Sequence, residues 1–179
     1  MSRDRQPAVF LDRDGVVTLE KSYVRSVEEL EVFYYSRECI DRIHKKGYLA
    51  IIVTNQSGVA RGYFSEESLD EMNRYLIDLL GVDAIYYCPH YPGGIIPRYS
   101  IQCNCRKPKT EMIKQACLDY NIDQTTSWMV GDRESDIQLG INAGIRTVLL
   151  ESGYGSESLN AGITPDYILN DLREFVNML

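Results

Sequence analysis

Short apolar runs recur along the chain at intervals that suit a parallel sheet. Residues 8–11 (AVFL), 49–53 (LAIIV), 84–88 (AIYYC), 127–130 (SWMV), 146–150 (RTVLL) and 166–169 (DYIL) are brief and mostly rich in β-branched or aromatic side chains. They read as buried strands. Between them the apolar spacing predicts helices over roughly 36–46, 66–80, 110–120 and 134–143, with another at 171–178. Ser65, followed by two glutamates, suits a helix N-cap, and Gly47 and Gly81 sit where helix ends need a left-handed residue.

Alternating strands and helices imply an α/β fold: a doubly wound, mainly parallel, Rossmann-like sheet with helices on both faces. With no repeat, low-complexity tract or long linker, residues 1–179 are expected to form one domain. In such sheets ligands lie beyond the carboxyl ends of the strands, so chemistry should follow the apolar runs directly.

It does so four times. After 8–11 comes DRDG, whose Asp12 and Asp14 are two apart at a strand end and can point the same way. Two carboxylates on one edge repel unless a cation such as Mg²⁺ lies between them; a polar strand end with a turn fits the same four residues. After 49–53, TNQSG offers the Thr54 hydroxyl, the Asn55 amide, Gln56, Ser57 and free backbone N–H groups, which suits phosphate oxygens as well as an ordinary turn. After 127–130, GDRESD puts Asp132 and Asp136 four apart on a helix face, for metal ligation and its support or for N-capping.

After 84–88 the stretch from Cys88 to Lys109 carries the spacing C-x-H-x12-C-x-C. Cys88, His90, Cys103 and Cys105 are four soft ligands in two close pairs, which suits tetrahedral Zn²⁺ in a loop at 88–105. No position is left for water, so the zinc is expected to be structural. It would fix where Arg106 and Lys107 point. Cys39 and Cys117 read as core and His44 as a solvated partner of a helix end.

The net charge of −7 argues against a nucleic-acid partner. Against that background Arg13, Arg61, Arg106, Lys107, Lys109 and Arg133 all fall in loops after strands, which suggests a local positive field for an anion. No apolar run approaches a membrane span or a signal peptide, and the expectation is a monomeric, cytoplasmic protein.

Taken together, FLDRDGV, TNQSG, CRKP and GDRESD resemble the four motifs of the haloacid-dehalogenase-type phosphatases, in the family's order, over about 8–145. More narrowly, NQSGVARGYF and the CPH…CNCRKP loop resemble the heptose 1,7-bisphosphate 7-phosphatase branch, with histidinol-phosphate phosphatases as relatives. The resemblance implies a small phosphorylated sugar as substrate and a place in making nucleotide-activated heptose for surface glycans. It implies that Asp12 is a nucleophile forming an aspartyl phosphate and Asp14 the general acid and base. Mg²⁺ would be held by Asp12, the Asp14 carbonyl and Asp132. Thr54 and Lys107 would bind the transferring phosphoryl group, and Arg106 a second phosphate. Glu20, Lys21, Ser22 and Tyr23 would touch substrate, along with Arg13, Asn55, Gln56, Ser57 and Arg133. Val16, Ser22 and Arg133 depart from the family's more usual Thr, Gly and Lys. The chain has no room for a separate cap domain. The rival from another class is a zinc-stabilised binding module without turnover.

Overall fold

The structure, a computed structural model, describes residues 5–159 and 162–179. The first four residues lie outside it. Six parallel strands form one sheet: β1 (Ala8–Leu11), β2 (Leu49–Asn55), β3 (Ala84–Cys88), β4 (Trp128–Gly131), β5 (Arg146–Leu150) and β6 (Tyr167–Leu169). Their order is β3-β2-β1-β4-β5-β6, so the chain reverses its direction of winding between β1 and β4. The register sets Leu11 beside Ile52 on one side and Val130 on the other. The residues that follow β1 and β4 therefore leave the sheet side by side, at the crevice where such sheets bind ligands.

Alternation along the strands divides the core. Val9, Leu11, Ile52 and Val130 face one cluster, and Ala8, Phe10, Ile51 and Met129 face the other. The first cluster is closed by α1 (Ser36–Lys45), α2 (Glu66–Leu80) and α6 (Leu172–Met178) through Ile40, Ile43, Leu76 and Phe175. The second is closed by α3 (Glu111–Tyr120) and α4 (Glu134–Ala143) through Ile113, Ala116 and Leu139. Ser65 caps α2 by accepting from Ser68 N at 3.1 Å, and Gly81 ends it at φ +72°. One short helix, α5 (Gly155–Leu159), falls where no helix was predicted, because its glycine- and serine-rich sequence lacks an apolar stripe.

Several expectations change. Strands β3 and β6 are sheet edges, β3 half-buried and β6 largely exposed, rather than core strands. His44 is not merely solvated: its Nε2 lies 2.9 Å from Asp83 Oδ2, which also accepts from Ala50 N, so it ties α1 to the start of β3. Cys39 is buried as expected, whereas Cys117 is only half-buried. A third, smaller cluster of Val24, Val59, Ala60, Leu69, Met72 and Tyr99 fastens the segments that overhang the sheet's carboxyl edge.

Candidate active site

A cleft of about 310 Å³ opens at that edge. Asp12 and Asp14 reach it from β1, Thr54 to Gly58 from β2, and Arg106 and Lys107 from the cysteine-rich loop. Glu20, Ser22 and Tyr23 reach it from the segment after β1, and Arg133 and Ser135 from the start of α4.

Lys107 is the electrostatic hub. Its ammonium lies 2.8 Å from Asp12 Oδ1 and 2.7 Å from Asp136 Oδ1, and donates to the Val53 carbonyl at 2.9 Å. Its three N–H groups thus meet three acceptors. The backbone is clamped as well: Lys107 N donates to Asn55 Oδ1 at 3.0 Å, and Asn55 Nδ2 donates back to the Lys107 carbonyl at 3.3 Å. Burial alone would lower the Lys107 pKa, but Asp12 and Asp136 outweigh it and hold the ammonium above its usual value.

The acids are in excess. Asp12, Asp132 and Asp136 bring carboxylate oxygens within 4.8 Å of one another. Burial pushes Asp12 up to about 7 despite Lys107, with Asp136 and Asp14 adding to the rise. Burial, then Asp12 and Asp136, pushes Asp132 up to about 8. One lysine cannot balance three carboxylates. Asp136 is already engaged, because its other oxygen accepts from Arg133 N at 3.1 Å at the start of α4. Asp132 Oδ2 accepts from Tyr154 N at 2.8 Å, but its Oδ1 is buried with no hydrogen-bond partner among the described residues. An orphaned buried carboxylate oxygen beside a second acid fits a hard divalent cation such as Mg²⁺. Two glycines make room for this carboxylate: a Cβ at Gly15 would lie 2.3 Å from Asp132 Oδ2, and one at Gly153 only 2.0 Å. Asp132 does not open α4, as its sequence position suggested; Arg133 is the N-cap.

Asp14 is held in a different network. It accepts from Arg13 Nε and Nη2 at 3.1 and 3.0 Å, from Gln56 Nε2 at 2.9 Å and from Thr18 Oγ1 at 3.2 Å. Gln56 also donates to Thr54 Oγ1 at 2.9 Å. This corrects the expectation for Arg13: its side chain is buried beneath the cleft, where it orients Asp14 and Gln56 rather than meeting a ligand. Lys21 also leaves the cleft, because its ammonium pairs with Glu31 at 2.5 Å. Glu20 stays, accepting from Arg133 Nη2 at 2.9 Å and from Ser22 N at 2.5 Å. Ser22 has φ +62°, which explains why glycine suits this position.

The four zinc candidates converge. Cys88 Sγ lies 3.5 Å from Cys103 Sγ and 3.1 Å from Cys105 Sγ, and His90 Nδ1 lies 3.3 Å from Cys105 Sγ. Sulfurs around tetrahedral zinc are spaced by about 3.8 Å, so this close, disulfide-free group fits the metal. Sequence reasoning overlooked Arg61, Gly58 and Ser135 as lining residues; Arg61 was legible only as one cation of the positive field.

A family model described as HAD-hyrolase-like matches residues 104–175. The D-glycero-beta-D-manno-heptose-1,7-bisphosphate 7-phosphatase of Haemophilus ducreyi is 39% identical over 175 residues, 94% of this chain and 96% of that protein. The chain belongs to the heptose-1,7-bisphosphate 7-phosphatase family. A Photorhabdus laumondii member of this family, named for the alpha anomer, is 44% identical over 163 residues, 86% of this chain and 87% of that protein. The crystal structure of the B. bronchiseptica D,D-heptose 1,7-bisphosphate phosphatase, complexed with magnesium and phosphate, superposes with a TM-score of 0.83 at 33% identity. It covers 96% of this chain and 97% of that one. Members of the family named for both anomers thus stand at similar distances from this chain.

Proposed function

We propose that this chain is a phosphoric monoester hydrolase that removes the 7-phosphate of D-glycero-D-manno-heptose 1,7-bisphosphate. The observation that carries the reading is the pairing of Asp12 with Lys107 at the floor of a cleft that Asp14 also lines. A binding module has no use for a buried, lysine-paired carboxylate aimed at a ligand.

Asp12 Oδ1 is fixed by Arg13 N at 2.7 Å and by Lys107, which leaves Oδ2 to attack phosphorus. The O–P bond forms as the ester bond to the sugar C7 oxygen breaks, and a proton from Asp14 neutralises the departing alkoxide. Asp14 then takes a proton from water as it attacks the aspartyl phosphate, which releases orthophosphate and restores Asp12. Arg13 and Gln56 hold Asp14 in place for both transfers. Thr54 and Lys107 stabilise the phosphoryl oxygens. Mg²⁺, held by Asp12, Asp132 and the Asp14 carbonyl, would offset repulsion between nucleophile and phosphate. Asp136 positions Lys107 rather than the metal. Zinc held by Cys88, His90, Cys103 and Cys105 serves structure alone.

The product keeps its anomeric phosphate, the group needed for attachment to a nucleotide. The test is kcat/KM across both heptose bisphosphate anomers, fructose 1,6-bisphosphate, histidinol phosphate and p-nitrophenyl phosphate, with and without Mg²⁺. A heptose bisphosphate should lead by at least about tenfold, the size of one good contact; histidinol phosphate in first place would refute the reading.

A further inference from the structure

We infer that Arg61 is a specificity residue that binds the phosphate not transferred in the reaction, together with Arg106, which lines the same cleft beside the same Tyr91 ring. The inference rests on the bisphosphatase reading above and names a residue that it does not use.

Arg61 is placed firmly. After β2 the chain makes two helix-like turns, with Arg61 N donating to the Ser57 carbonyl at 3.0 Å and Tyr63 N to the Gly58 carbonyl at 2.9 Å. Ser57 and Arg61, four apart, therefore both line the cleft. Val59 and Ala60 are buried in the third cluster beneath them. The Ala60 carbonyl accepts from Ile95 N at 2.8 Å and Ile96 N at 3.0 Å, which fastens the cysteine-rich loop to the residue before Arg61. Gly94 permits this approach, since a Cβ there would lie 2.4 Å from the same oxygen.

The side chain is packed but not satisfied. The guanidinium lies over the Tyr91 ring at 4.1 Å from its centroid and 5.9 Å from that of Tyr23. Arg106 lies over the same Tyr91 ring at 5.3 Å. Arg106 also donates to the His90 carbonyl at 3.2 Å. Among the described residues no acceptor bonds the Arg61 guanidinium, and its Nε is buried without a partner. Arg13 and Arg133, by contrast, each pair with a carboxylate. A structural arginine would have such a partner. Two cations that line one cleft and share one ring, one of them without any acceptor among the described residues, suit an anionic ligand, and a phosphate can accept from two guanidinium forks at once. A monophosphate occupying the Asp12 end of the cleft leaves this pair empty.

The test compares Arg61→Ala and Arg61→Lys with wild type on the heptose bisphosphate and on p-nitrophenyl phosphate, with circular dichroism to establish folding. The ratio of the two kcat/KM values should fall about 10- to 100-fold in the alanine variant, as for loss of a charge-assisted contact, and recover in part with lysine. Inhibition by the product heptose 1-phosphate should weaken alongside, while inhibition by orthophosphate should weaken less. Equal losses on both substrates in a folded variant, or an unchanged ratio, would overturn the assignment. Wild type with no preference for the bisphosphate would instead overturn the functional reading, and this inference with it.

Discussion

Arg133 Nη2 lies 2.9 Å from Glu20 Oε2, joining two segments 113 residues apart across the mouth of the cleft. Arg133 also stacks over Tyr154, 4.0 Å from the ring centroid. The pair is partly exposed, so its worth to stability is small, at most about 1 kcal/mol. Its effect is to tie the segment after β1 to the start of α4 at the cleft. Glu20→Gln should therefore raise KM several-fold with little change in Tm. An unchanged KM would mean that the segment is held by Tyr23 and its neighbours alone.

Asp12→Asn should abolish turnover, because an amide does not attack phosphorus, yet leave the fold intact. Burial already pushes Asp12 towards its neutral form, so an uncharged, nearly isosteric side chain suits the position. Mass spectrometry should find phosphate on Asp12 in the wild type and none in the variant. Substantial residual activity would rule out the covalent route.

The acid cluster gives the metal-free protein a pH dependence of definite sign. Unfolded aspartates titrate near about 3.9, whereas Asp12 and Asp132 are raised to about 7 and about 8 in the fold. Between those values the native state binds more protons than the unfolded one. Stability should thus fall as pH rises from about 4 to about 8 and level off above. Saturating Mg²⁺ should raise Tm more at pH 8 than at pH 6. Equal gains at both, measured by calorimetry, would deny that the burial and mutual repulsion of these carboxylates are what the cation relieves.

Gly153→Ala should damage metal binding specifically. The added Cβ would stand 2.0 Å from Asp132 Oδ2, so this carboxylate must move. The apparent affinity for Mg²⁺ in the phosphatase assay should drop by tenfold or more, about 1.4 kcal/mol, with helix content unchanged. Wild-type magnesium dependence would show that Asp132 can shift freely.

Cys103→Ser should lower the zinc content from about one per chain, the occupancy of a closed four-ligand site, and cut kcat/KM at saturating Mg²⁺. Arg106 and Lys107 follow Cys105 directly, and a displacement of about 1 Å at such groups can cost roughly 10²-fold. Cys88 ends β3 and is buried in a core cluster, so some loss of Tm should accompany it. A zinc-free variant with full activity would separate the loop's metal from the aim of these cations.

The sheet was legible in the sequence because strand runs announce themselves by composition, and Asp12, Asp14 and Asp132 because they follow such runs. What escaped depends on direction rather than identity. Arg13, between two acids that face the cleft, turns beneath it to hold Asp14 and Gln56 and is buried. Lys21 found a nearer acid in Glu31. Arg61 was one cation among several until the fold brought Tyr91 from the cysteine-rich loop against it. None of these contacts has a local signal in the chain.

Strand β1 has a neighbour on each side, and none of its four residues reaches solvent. Tyr91 and Arg106, by contrast, belong to the loop that leaves β3 at the sheet's rim. The same loop also carries Lys107, which reaches back to within 2.8 Å of Asp12 at the end of that protected strand, so reaction chemistry and substrate recognition are inherited together. Insertions or deletions in the rim loop can redirect the enzyme towards another phosphate ester only where they keep Lys107 in register with the strand that carries its nucleophile.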